Sequence, residues 1–148
     1  MEKAELAKEN FKDGCNCAQA VLCAYADDFF LDRKHAMAVA TGFGGGLGNH
    51  QGICGALSGA VMILGLRYGS REAVDREAVS ATYRLTQRLQ EEFRGRFDTM
   101  ICREILTKTS LPEAEKAQFF REYRHHEPCY RAVQAACEIL DGILRPTP

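Results

Sequence analysis

The apolar positions of this chain follow the helical period throughout, and nowhere the strict alternation of a strand. Met1–Phe11 predicts a first helix with Leu6 and Phe11 on its apolar face, stopped by Asp13-Gly14. Asn16 followed by Gln19 is a capping-box pattern, so a second helix is expected to open at Cys17, with the sequence CAQAVLCAYA. It is apolar nearly all round, as a central helix must be. Asp32 is expected to cap a third helix through about Thr41. The stretch from Ile53 to about Tyr68 predicts another largely apolar helix, ended by Gly69. A long amphipathic helix is expected from about Arg71 to Arg94, with Val74, Ala78, Ala81, Leu85, Leu89 and Phe93 inward and Gly95 as C-cap. Asp98 then caps a short helix, TMICREILTK, and Ser110-Leu-Pro-Glu113 starts one through about Arg124. Pro128 opens the last helix, CYRAVQAACEILDGIL, before frayed residues Arg145–Pro148. The expectation is one all-α domain over residues 1–148, a bundle of roughly six to eight helices with no sheet.

Between the third helix and the apolar one lies a glycine-rich loop, Phe43–Gly52. Its backbone reads two ways with equal weight. Amides around Gly44, Gly45, Gly46 and Gly55 can cradle an anion or cofactor at the next helix start, or the glycines can serve a turn or hinge. The run FGGGLG resembles a dinucleotide fingerprint only superficially, because no strand precedes it. Gly55 and Gly59 share one helix face. Such a face lets a cofactor or a second helix approach closely, either inside the monomer or as a homodimer seam.

Composition narrows the function classes. A chain of 148 residues with 46% hydrophobic and 26% charged residues buries a substantial core without disulfide staples. With 19 Lys+Arg against 20 Asp+Glu, the net charge of −1 gives no case for nucleic acid or an anionic membrane. The apolar run Ile53–Leu66 is shorter than the roughly 20 residues of a membrane span, so no membrane insertion is expected. Met1–Asn10 is charged and unlike a secretory signal. A cytoplasmic, reducing location is therefore expected, in which thiols serve catalysis, redox exchange or metal binding more than bridging.

The seven cysteines thus become the candidate chemistry. Cys17, Cys54, Cys102 and Cys129 each fall in the predicted first turn of a helix. Unpaired amides and the helix dipole there favour thiolate over thiol. Cys23 and Cys137 lie mid-helix among apolar neighbours and read as small core residues. Cys15 fits either role. No CxxC motif is present, so a thioredoxin-type dithiol has no local support. His50 precedes Cys54 by four residues, and His125-x-x-x-Cys129 has a spacing that can supply two metal ligands, with His126 beside it. Surface histidines are the commoner reading.

The blocks GCNCAQAV (Gly14–Val21), FGGGLG (Phe43–Gly48), CGALSG (Cys54–Gly59) and MILGLRYG (Met62–Gly69), followed by Cys102 and Cys129, resemble the C_GCAxxG_C_C family. Its members are described as redox-active proteins of about this length, defined by four cysteines and a CGAxxG motif. The resemblance implies that the family cysteines here are Cys17, Cys54, Cys102 and Cys129. An aromatic residue usual in the first block is Cys15 here, which adds a thiol next to the expected site.

Three readings follow. In the first, the cysteines converge and cycle between dithiol and disulfide with a redox partner the sequence does not identify; Cys54 attacks and Cys17 resolves. In the second, Cys17, Cys54, Cys102 and Cys129 hold an iron–sulfur cluster or a zinc ion for electron transfer or metal binding. In the third, the chain is a helical interaction domain with inert thiols.

Overall fold

The computed structural model describes residues 2–109, 111–123 and 126–145. Among them are eight α-helices: α1 (Lys3–Lys12), α2 (Cys17–Tyr25), α3 (Arg33–Ala40), α4 (Gly55–Tyr68), α5 (Arg76–Phe97), α6 (Cys102–Ile105), α7 (Glu113–Tyr123) and α8 (Glu127–Leu144). Two 3₁₀ turns, Ala26–Phe29 and Thr41–Phe43, flank α3. The all-α expectation holds: among the described residues the only extended pairing is a single antiparallel bridge, Ile53 with Ile101. None of the helices is long and apolar enough to cross a membrane.

The nearly all-apolar α2 is the hub, as its composition requires. Every one of its residues is buried, and it packs against α1, α3, α4 and α8. The capping box forms as read: Asn16 Oδ1 accepts from the Gln19 amide at 2.9 Å, and Gln19 Oε1 accepts from the Asn16 amide at 3.0 Å. Leu22, Leu57, Ile63, Leu64, Leu140 and Val133 form the dense centre, each side chain contributing about 1.5–3 kcal/mol by leaving water. The phenolic hydroxyl of Tyr25 bonds the Cys137 carbonyl (3.0 Å) and Asp141 Oδ1 (2.7 Å), pinning the end of α2 to α8.

The small-residue face of α4 is internal. A Cβ on Gly59 would lie 2.8 Å from the Ala18 carbonyl oxygen, and one on Gly55 would lie 3.2 Å from Cys17 Cβ. Helix α2 therefore fills that face, and a dimer seam there is ruled out by occupancy.

Several boundaries differ from expectation. Helix α5 begins at Arg76 instead of about Arg71, because Asp75 caps it by accepting from the Ala78 amide (3.1 Å). Its first turns leave the core: Val74 is 78% exposed, and burial begins at Leu89 and continues through Phe93 and Phe97. Gly95 lies inside the helix, and Asp98, with φ 59°, is its left-handed C-cap instead of the N-cap of the following one. Helix α6 has no side-chain cap, although Thr99 Oγ1 accepts from the Ile101 amide just before it (3.0 Å). The expected cap at Ser110, the helix end at Arg124 and the final residues 146–148 lie outside the described residues.

Candidate functional site

The four cysteines at helix starts come from segments far apart in sequence, and three local devices bring them together. Gly55 lets the beginnings of α2 and α4 touch, placing Cys17 beside the Cys54 turn. The segments before α4 and α6 pair as a short ladder. Cys54 N–H donates to the Met100 carbonyl (2.9 Å), Cys102 N–H to the Gly52 carbonyl (2.6 Å), and Arg103 N–H to the Gln51 carbonyl (3.2 Å). Finally, the glycine loop closes over this ladder. Gly46 runs at φ +72°, and a Cβ there would lie 2.7 Å from Cys102 Cβ, so only glycine allows the backbone to lie against that thiol's stem.

The loop winds left-handed. Gly45, Gly46, Leu47, Gly48, Asn49 and Gln51 all have φ between 59° and 72°. For the non-glycine members this conformation costs about 1–2 kcal/mol each. It is held by internal bonds: the amides of Gly48, Asn49, Gln51 and Gly52 donate to the carbonyls of Gly42, Gly44, Gly45 and Gly46 at 2.8–3.1 Å. Those amides are therefore committed to the loop itself and unavailable to an anion. Gly44 backs onto the Asn16 side chain, whose amide nitrogen bonds the Thr41 carbonyl at 3.0 Å. The glycines thus work by close approach.

Cys17, Cys102 and Cys129 line one recess of about 230 Å³ together with Phe11, Asn49, Gln51, Phe120 and His126. Cys54, only 4% exposed, is not among its walls and sits behind them. All seven cysteines are free thiols.

The electrostatics divide the four. Burial pushes the Cys54 thiol up to about 12. The Leu57 and Ala56 amides at the α4 start do favour its thiolate, as the helix-terminus argument expects. But Cys54 is the N-cap itself, makes no side-chain cap hydrogen bond, and desolvation wins. Cys102 is likewise raised, by burial first. Cys17 and Cys129 behave as a pair. Cys17 is raised well above its ordinary value by sharing its proton with Cys129 and by burial, whereas the Cys17 thiol, acting as donor, lowers Cys129. The Cys129 amide, in the first turn of α8, acts in the same direction. The half-buried member of the pair is the one lowered, which is the order solvation requires.

The remaining candidates fall elsewhere. Cys15 contacts Met37 Sδ (3.7 Å) and Arg33 Nη2 (4.0 Å) and does not line the recess. Cys23 and Cys137 are buried in the core. His50 is exposed on the loop. His126 lines the recess, its ring centroid 5.4 Å from that of Phe120, while His125 lies outside the described residues. Among the described residues no three His, Cys, Asp or Glu side chains are placed to hold one metal ion.

Sequence reading missed the Asn49, Gln51 and Phe120 walls. The left-handed loop and the packing of α7 place them, and neither leaves a residue pattern to recognise.

A family model described as "Putative redox-active protein (C_GCAxxG_C_C)" matches residues 15–143. No curated protein and no solved structure matches the chain.

Proposed function

Since the chain belongs to the C_GCAxxG_C_C family of redox-active proteins, we propose that it is a thiol redox protein whose working couple is Cys129 and Cys17. One observation carries the reading: Cys17 and the half-buried Cys129 line the same recess, where the Cys17 thiol favours the thiolate of Cys129. A thiolate is the attacking species in disulfide chemistry, and the second thiol must be within reach to resolve it. Here both conditions meet in one pair. Oxidation joins Cys129 Sγ to Cys17 Sγ and releases two electrons and one proton to the acceptor; reduction reverses it. The nucleophile is thus Cys129 instead of Cys54, because Cys54 is buried and held neutral. Cys54 and Cys102 serve as neighbours that position the pair.

Equilibration in dithiothreitol redox buffers, followed by thiol counting and peptide mapping, tests this. The expected result is reversible loss of two thiols per chain with the bridge at Cys17–Cys129. Cys129→Ala and Cys17→Ala abolish the couple, and Cys54→Ala retains it. A couple that survives Cys129→Ala, or a thiol count unchanged by oxidant, overturns the reading.

A further inference from the structure

The recess is specific in size and in polarity. Its volume of about 230 Å³ lies below the ~300–1,000 Å³ of sites built for drug-sized ligands. Among the described residues, none of its walls is Asp, Glu, Lys or Arg. Apolar surface comes from Phe11, Leu106 and Phe120, and polar surface from the His126 imidazole and the side-chain amides of Asn16, Asn49 and Gln51. Asn16 is committed to the α2 cap and to Thr41. Gln51 uses its oxygen to accept from Arg103 Nε (3.3 Å), which leaves its NH₂ as a donor. The Asn49 side-chain amide makes no hydrogen bond among the described residues, although it lines the recess.

A peptide disulfide such as glutathione disulfide carries several carboxylates. These would lose water here against described walls that offer them no Lys or Arg, an unfavourable exchange. A small neutral molecule with two oxygen atoms meets no such penalty and finds amide donors.

We propose that the oxidant reduced at this site is a small uncharged hydroperoxide, either hydrogen peroxide or a short alkyl hydroperoxide. This rests on the dithiol reading above and names its substrate class. Cys129 Sγ⁻ attacks the terminal peroxide oxygen, the O–O bond breaks, and Cys129 becomes a sulfenic acid. The departing alkoxide or hydroxide takes the proton of the Cys17 thiol and leaves as alcohol or water. Cys17 Sγ⁻ then attacks the Cys129 sulfur, forms the disulfide and expels hydroxide. One peroxide is reduced by two electrons, and the pair is oxidised by two. An external dithiol returns the pair to its reduced form by exchange.

The test uses the full chain, reduced, with hydrogen peroxide, cumene hydroperoxide and glutathione disulfide at equal concentration, following thiol loss with time. Hydrogen peroxide is expected to remove two thiols on the order of 100-fold faster than glutathione disulfide. In Cys17→Ser, a sulfenic-acid probe should label Cys129. Phe120→Ala widens the recess and should raise the rate with bulky cumene hydroperoxide, relative to hydrogen peroxide, by about tenfold. Glutathione disulfide reacting as fast as peroxide, peroxide oxidising Cys129→Ser at the wild-type rate, or an unchanged substrate ratio in Phe120→Ala would each overturn the proposal. A dithiothreitol couple with no peroxide preference sinks this proposal alone. Absence of the couple sinks the dithiol reading with it.

Discussion

Cys54 and Cys129 both sit at the start of an apolar helix, and their protonation goes in opposite directions. Both feel backbone amides that favour the thiolate. What differs is solvent: Cys54 is sealed behind α2 and the glycine loop, while Cys129 is half-buried and has a thiol donor beside it. A helix terminus shifts a pKa only when burial does not cancel it. Alkylation by iodoacetamide as a function of pH should therefore modify Cys129 first. Removing the donor with Cys17→Ala should move the midpoint of the Cys129 profile upward, because the thiol that lowers it is gone. A midpoint that stays put or falls would show that Cys17 is not the cause. Cys54 should react only near pH 12 in the folded protein.

At the scale of elements, two contacts decide how the thiols converge: α2 against α4, and the loop against the Ile53–Ile101 bridge. The first depends on Gly59, where a methyl group would meet backbone, the Ala18 carbonyl, at 2.8 Å. Neither helix can shift easily, since both are buried at this crossing. Gly59→Ala should cost about 1–3 kcal/mol despite alanine's better helix propensity. In calorimetry that is a fall in Tm of roughly 3–10 °C; a rise in Tm would refute the close-packing account. The start of α2 is held by Asn16, which caps the helix and ties it to Thr41. Asn16→Ala should lower stability by about 1 kcal/mol, read by urea unfolding, with Asn16→Asp retaining the cap acceptor and much of the stability.

For the molecule as a whole, the buried thiols set the pH dependence. Cys54 and Cys137 are each pushed up to about 12 by burial. They stay protonated in the fold while the unfolded chain ionises them above about pH 8.5. Their contribution is fully present below that pH and is lost as pH rises toward 12, with each group removing up to about 1.4 kcal/mol per pH unit. Cys129, lowered in the fold, works the other way, but it is one group against the raised thiols Cys15, Cys17, Cys23, Cys54, Cys102 and Cys137. Unfolding free energy should therefore fall between pH 8.5 and 11 by guanidinium titration. Cys137→Ala should flatten that slope even though it lowers stability at neutral pH. An unchanged slope in the variant would remove Cys137 from the explanation.

Much of the helical inventory was legible in local sequence, because caps and apolar periods act over a few residues. The Asn16–Gln19 box and the uniformly apolar α2 and α4 were read from residues that make those structures by themselves. The start of α5 was not: Asp75 sets the cap beyond Arg71, and Val74 fits an inward position yet is left exposed. Asp98 was read as an N-cap because its residue type suits one; tertiary constraint puts it in the left-handed conformation that ends α5.

The glycine stretch from Phe43 to Gly52 shows where the division falls. Its composition alone required turns, excluded a strand and marked Cys54 as a thiol presented at a helix start, as Asn16, Asp98 and Pro128 marked Cys17, Cys102 and Cys129. Which of them meet, and which keeps its proton, depended on contacts between segments dozens of residues apart. Gly46 lies against Cys102, Gly55 against Cys17, and the Cys54 segment pairs with the Cys102 segment. Those contacts fix the solvation of each sulfur. Residue type and spacing set what a thiol can do, but desolvation, which only the packed chain supplies, chooses the one that ionises.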